Sequence, residues 1–339
     1  MNKLTKIGVS ALCGSLAAIS AANAGDLSAS GTVDMSWISL PKADTGNPIG
    51  MGSNVSFAGS GELDNGWGVA LSIAYTNKAG YSSSNVTVTI PSMGDLIVTQ
   101  GGTGTGIDRM DDKTPSAWEE AYGFGLGSGV QTVSGGSGGA GFEFTPNFTP
   151  DGTTVRLAYT PDADGSSSND KVSAGATGPA QAAWDLTLDI GSDAHGVEGL
   201  DLYGGYSEIT MESANAAHQK GDKEEYTVGA NYAVGGFTLG YQYSMEDVAT
   251  TSADYYENSA YGVSFNINDN FTVSYNNYQS DKNNVTAADV ELEASSIQLA
   301  YTTGGLSVRI AEGEVDNRNY STAATDDRDG RAISVSLAF

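Results

Sequence analysis

From Asp26 onward, apolar residues alternate with small or polar ones in segments of about ten residues, the period of a strand whose two faces meet different surroundings. Val263, Phe265 and Ile267 fall on one face, with Ser264 and Asn266 on the other. At the end of the chain Ile333, Val335, Leu337 and Phe339 alternate with Ala332, Ser334, Ser336 and Ala338. Val308 and Ile310 flank Arg309, and Leu157 and Tyr159 alternate with Arg156 and Ala158. Helical spacing is not sustained anywhere, so the pattern predicts an all-β protein.

The connections between these segments alternate in length. Asp64-Asn65-Gly66, Pro150-Asp151-Gly152, Gly235-Gly236, Asn268-Asp269-Asn270 and Gly304-Gly305 are tight hairpin signals, as is the stretch 91–95. Longer polar stretches cover 40–52, 101–139, 161–178, 211–223, 281–288 and 316–329. Strands are predicted over 27–38, 54–63, 67–76, 85–90, 96–100, 141–148, 153–160, 180–190, 200–210, 225–234, 237–246, 256–267, 271–280, 291–302, 306–314 and 331–339. That set is an even number of strands with short turns at one end and long loops at the other, the layout of a transmembrane barrel. Trp67, Tyr232, Phe237, Phe265, Phe271 and Phe339 lie beside the short turns, and Trp37, Tyr75, Tyr159, Tyr226 and Tyr243 beside the long loops. Two such bands suit rings that settle at the headgroup level of a bilayer.

Residues 1–24 predict a cleaved secretory signal, leaving 25–339 as the barrel domain. Lys3 and Lys6 precede an apolar stretch, and Ala22-Asn23-Ala24 supplies the small residues of a cleavage site. The only cysteine, Cys13, falls within that segment, so the remainder can form no disulfide or thiolate centre. The formal charge is −26, with 41 acidic residues against 15 basic ones. Such a balance disfavours nucleic acid and anionic surfaces as partners and favours cations. After the signal, no apolar run reaches the ~20 residues of a spanning helix.

The sequence resembles the general diffusion porins of Gram-negative outer membranes. It shares with them a signal peptide, alternating segments along the whole remaining chain, and a final strand ending in the aromatic Phe339. The resemblance implies a 16-stranded antiparallel β-barrel in the outer membrane lipid, assembled as a homotrimer. The implied activity is passive diffusion of ions and small hydrophilic solutes, with no catalysis. Ala29, Gly31, Gly59 and Gly61 suit close barrel–barrel contact, or equally relieve barrel curvature. The family folds its third outer loop inward to narrow the pore, and the stretch 101–139 is the longest connection here. It carries Asp108, Asp111, Asp112, Glu119 and Glu120 against Arg109 and Lys113. Ser116, with Glu119 three residues on, predicts the start of a short helix. Arg156 and Arg309 are the inward-facing basic candidates, with Arg331 near the rim, a thinner cluster than the family's. A cation preference is therefore expected. Ca²⁺ at the loop carboxylates is the weaker reading beside eyelet lining, and no cofactor is expected.

Two short motifs are discounted. Gly136 to Gly141 fits G-x-G-x-x-G and Gly135 to Gly139 fits G-x-S-x-G, but both lie in one Gly/Ser run without a strand-to-helix turn. His195 and His218, the only histidines, read as solvated loop residues. The competing class is an exported acidic all-β surface or adhesin protein without a pore. A substrate-specific channel would need a continuous track of aromatic and basic residues along the lumen, which the sequence lacks.

Overall fold

The computed structural model describes residues 27–41, 46–77, 80–100, 104–137, 139–164, 171, 178–212, 221–248, 250–251 and 253–339. The expected signal segment, Cys13 and His218 lie outside the described residues. Strands follow one another as β1 (Leu27–Ser39), β2 (Ile49–Glu62), β3 (Gly68–Thr76), β4 (Gly80–Ile90), β5 (Gly94–Gln100), β6 (Gly141–Pro146), β7 (Thr153–Thr160) and β8 (Ala180–Ile190). The second half comprises β9 (Leu200–Met211), β10 (Lys223–Val234), β11 (Phe237–Asp247), β12 (Ala253–Asn268), β13 (Phe271–Asn284), β14 (Val290–Thr303), β15 (Leu306–Asp316) and β16 (Arg328–Ala338). Each strand pairs with its sequence neighbours, and β1 also pairs with β16, which closes an antiparallel barrel.

The closing seam runs from Thr32 opposite Ala338 to Ser39 opposite Arg331. It extends by one further exchange, in which Gly31 N–H donates to the Phe339 carbonyl at 3.0 Å and Phe339 N–H donates back at 3.0 Å. The terminal ring folds over Gly31: a Cβ there would lie 2.8 Å from Phe339 Cζ and 2.9 Å from the Asn54 carbonyl. Gly31 is therefore held to glycine by the ring that caps the seam.

The two faces of the wall are inverted relative to a water-soluble protein. The outward positions are large and apolar and lie exposed, among them Val55, Phe57, Leu71, Val86, Tyr241, Tyr261 and Ile297. The inward positions include buried Thr187, Ser207, Gln242, Asn258, Asn276 and Gln298. Lipid supplies the environment for the first set, and a polar interior supplies it for the second. Trp67, Tyr232, Phe237 and Phe339 stand exposed at the short-turn end, and Trp37, Tyr75, Tyr159 and Tyr226 at the other. Phe237 and Phe265 stack at 4.3 Å across neighbouring strands.

All the segments predicted as strands are strands, and β7 and β8 have the predicted limits. The main departure is at the long-loop end. There β2 begins at Ile49, β4 at Gly80, and β13 continues to Asn284. Apolar alternation stops where lipid stops, but backbone pairing continues into water, so Tyr81-Ser82-Ser83-Ser84 remains in a ladder without an apolar face. The connection 77–79 is accordingly short. His195 ends a single helical turn, Ser192–His195, and its ring nitrogens bond the Val197 N–H and the Leu200 carbonyl, each at 3.1 Å.

Replacing Gly31 with leucine is expected to overpack the seam by about 1–3 kcal/mol. The heat-modifiable gel mobility of the barrel should then convert at a lower temperature than in the parent protein.

Candidate pore constriction

Residues 101–140 connect β5 to β6, and the described part of this loop lies inside the barrel, against the polar face of the wall. Its path is fixed by hydrogen bonds between loop backbone and wall side chains. Gln242 on β11 donates to the Asp111 carbonyl at 2.9 Å, and Asn231 on β10 donates to the Lys113 carbonyl at 2.8 Å. Asn276 on β13 donates to the Pro115 carbonyl at 2.8 Å. Pro115 can approach because the wall beneath it is glycine: a Cβ at Gly240 would meet its Cδ at 2.2 Å, and one at Gly262 its carbonyl at 2.6 Å.

The wall also decides the conformation of 114–119. Ala117 N–H donates to Ser274 Oγ at 2.9 Å, while Trp118 and Glu119 N–H donate to Gln298 Oε1 at 2.9 and 3.0 Å. All three are first-turn amides of the expected helix, and those of Trp118 and Glu119 are the donors that Ser116 would have capped. No helix forms there; the turn that does form is a 3-10 helix, Gly106–Met110. A capping pattern is weak against two wall acceptors already aimed at these amides.

Farther along, the loop builds an apolar core within the lumen. Ala121, Phe124 and Leu126 are buried against Ala260, Leu292, Ala294, Ala311, Val315 and Ala332 on the inward faces of β12 and β14–β16. The returning limb is held by buried carboxylates. Ser134 and Gly135 N–H both donate to Glu225 Oε2 at 2.7 Å, and Glu225 is fully buried. Gly106 N–H donates to Glu143 Oε2 at 2.8 Å, and Arg109 forks onto the same carboxylate at 2.7 and 3.2 Å. Asp185 accepts from the backbone at Ile107 and Gly136, tying both limbs to β8. Lys223 neutralises Glu225 at 2.7 Å and also contacts Glu246.

The five loop carboxylates expected at the constriction divide into two groups. Asp108 accepts from Ser137 Oγ at 2.9 Å, and Glu119 accepts from Phe124 N–H at 2.7 Å, so both brace the loop itself. Asp111, Asp112 and Glu120 lie close enough to perturb one another, and Asp112 is exposed to the lumen. Burial first, and then the neighbouring Asp112, pushes Asp111 up to about 8 and Glu120 up to about 7. Burial beside these carboxylates also raises the Tyr122 hydroxyl, which remains protonated.

The basic candidates do not form a cluster. Arg156 pairs with Asp189 at 2.6 Å, a carboxylate it shares with Lys113. Arg309, on the far side of the barrel, lies 3.7 Å from Asp34. Arg331 lies near the rim, opposite Ser39 at the end of β1, but faces outward, where it pairs with Glu312 at 2.7 Å. Its position follows from parity: it shares a face with Ile333, while Ala332 and Ser334 point inward and are buried. The loop's wall contacts run from β6 through β16 to Ile38 on β1, so β2–β4 form the other side of the opening. Those strands carry no lysine or arginine, and their inward positions include Asn54, Ser56, Ser72, Asn85 and Thr87.

Closed topology, an apolar outer face and a polar lumen narrowed by a loop define an outer-membrane channel barrel. Residues 8–339 match the family model described as Gram-negative porin, and the chain belongs to that family. No curated protein sequence matches it. Among solved structures it is similar to OmpT, an outer membrane protein of Vibrio cholerae, with a TM-score of 0.68 and 12% identity over 93% of this chain and 98% of that one. OmpF of Salmonella typhi, in complex with daunomycin, gives 0.67 and 14% over 93% and 98%. An anion-selective porin from Comamonas acidovorans gives 0.62 and 10% over 93% and 100%. At these identities the likeness is one of fold.

The wall carboxylates Glu143 and Asp185 were legible as inward-facing from alternation, since each sits between apolar outward residues, as in Phe142-Glu143-Phe144, whereas Glu225 follows Glu224 and has an apolar neighbour only at Tyr226. Their role in gripping loop amides was not. Glu225→Ala leaves the Ser134 and Gly135 amides without their acceptor and Lys223 with Glu246 alone, and each buried donor left unsatisfied costs about 1–3 kcal/mol. The expected result is a lower unfolding temperature in detergent and faster hydrogen exchange at Ser134 and Gly135.

Proposed function

We propose that this porin passes ions and small hydrophilic solutes by passive diffusion, prefers cations, and performs no chemistry on what it carries. The observation that carries the charge preference is the asymmetry of the opening. One side presents Asp111, Asp112 and Glu120, and the other, on β2–β4, has hydroxyl and amide groups without a basic residue. Arg109 and Arg309 each lie beside a carboxylate, at 2.7 and 3.7 Å, and Arg156 and Lys113 share Asp189, so a single positive charge is left against the three carboxylates of the cluster. A cation in the opening is stabilised by the carboxylates, while an anion meets like charge in a region of reduced dielectric. No cofactor has a part in this reading.

The assembled form is proposed to be a trimer with one pore per chain. The supporting features are the small outward residues Ala29, Gly59 and Gly61, Gly31 being covered by the Phe339 ring, and the trimer form described for V. cholerae OmpT. Leu27, Gly59, Gly61, Leu63 and Leu71 border a shallow depression on that outer face.

Reconstitution in a planar bilayer under a salt gradient tests the preference. The reversal potential should have the sign of cation selectivity at pH 8.5 and above, where Asp111 and Glu120 are ionised. Because both carboxyls titrate above their ordinary range, acidification through pH 8 to 6 neutralises them, and the cation-to-anion permeability ratio should fall across that window. The pair Asp111→Asn and Glu120→Gln should lower the ratio at high pH and flatten this pH dependence. An anion-selective reversal potential in the parent channel would refute the reading.

A further inference from the structure

The last long connection, 317–327, sends a turn back into the barrel. Asn317, Asn319 and Tyr320 have φ of 53°, 56° and 56°, a region that residues other than glycine seldom occupy, and a tyrosine least readily. Backbone of this kind persists where surrounding contacts determine it. Here the contacts lead to the constriction loop. Asn319 N–H donates to the Ser128 carbonyl at 2.7 Å. The Tyr320 hydroxyl lies 2.7 Å from Ser280 Oγ on β13 and accepts from Gln131 N–H at 3.1 Å. Burial pushes that hydroxyl up to about 12, so it keeps its proton and can donate to Ser280 while accepting from Gln131. The Tyr320 ring packs on Tyr256 at 5.0 Å and lies 5.9 Å from Lys282 Nζ.

The peptide at Gln131 is thus gripped from both sides, since its carbonyl accepts from Asn258 on β12 at 3.2 Å. Arg328, at the start of β16, donates to the Leu126 carbonyl at 2.7 Å, so the same end of the barrel holds both ends of the segment 126–131. None of these groups belongs to the carboxylate cluster at Asp111, Asp112 and Glu120.

We infer that Tyr320 is a positioning residue for the constriction loop: the last outer loop inserts its side chain to pin the returning limb at Gln131, which fixes the aperture without setting its charge preference. The inference rests on the reading of the β5–β6 loop as the constriction. A limb released at Gln131 samples displaced positions inside the lumen and interrupts the current, while the ionised groups that select cations stay where they are.

Single-channel recording separates the two effects. Tyr320→Phe keeps the ring and removes both hydroxyl contacts, so the barrel should assemble with unchanged heat-modifiable mobility. Brief closures should become about five-fold more populated, the factor for one net hydrogen bond. The reversal potential should match the parent. Ser280→Ala, which removes one partner of the hydroxyl, should raise the closures by less. The Asp111→Asn and Glu120→Gln variant should shift the reversal potential and leave closures at the parent level. Closure statistics unchanged in both Tyr320→Phe and Ser280→Ala would overturn the inference, as would a Tyr320→Phe reversal potential displaced as far as in the carboxylate variant. Failure of the carboxylate variant to alter selectivity would instead count against the proposed charge preference alone.

Discussion

Lipid offers a backbone amide no hydrogen-bond partner, and the rest of this barrel follows from that deficit. A strand left at an edge within the bilayer would expose a row of unpaired N–H and C=O groups, so the sheet must close on itself. Here closure falls between β1 and β16 and is completed by the reciprocal exchange of Gly31 with Phe339. The terminal ring lies over Gly31, where a side chain would obstruct it. Once the sheet is closed, each strand has one face toward lipid and one toward the lumen, and a period of two in the sequence is the direct consequence.

Inside the closed wall the physical problem changes from backbone pairing to polar satisfaction. The lumen collects side chains that a soluble protein would place outside, and buried ones among them require partners. The β5–β6 loop supplies those partners from its own backbone. Gln242, Asn231, Asn276 and Gln298 bond its peptides, and Glu143, Asp185 and Glu225 accept its amides. Wall and loop therefore satisfy each other, and the constriction is a second layer of the structure rather than a flap across it. An apolar patch around Phe124 and Leu126 anchors the loop's far bend against alanines on β12 and β14–β16.

That mutual satisfaction also sorts the charges. Carboxylates in contact with loop amides are used for holding, as are Asp108 and Glu119 within the loop. What remains is the trio Asp111, Asp112 and Glu120, which on the proposed reading faces the opening against a wall of hydroxyl and amide groups. Arginines that would have offset this trio are drawn to wall carboxylates at separate places, Arg156 to Asp189 and Arg309 to Asp34. The balance of the opening is thus decided by which charged groups are already engaged, rather than by net composition.

Alternation and turn chemistry in the sequence determined the strands, their number, the lipid-facing residues and the inward direction of Glu143, Asp185, Arg156 and Arg309, because those depend on neighbours one or two positions away. The identity of the long acidic loop was legible for the same reason. Tertiary structure decided what the inward groups do. Ser116 and Glu119 carry a local capping pattern, yet Ser274 and Gln298, more than 150 residues distant in sequence, take the first-turn amides and prevent the helix. Likewise, the contact of Tyr320 with Gln131 joins residues 189 apart in sequence. Such pairings exist only after the barrel closes and brings distant strands around a common lumen, so no local pattern could have encoded them.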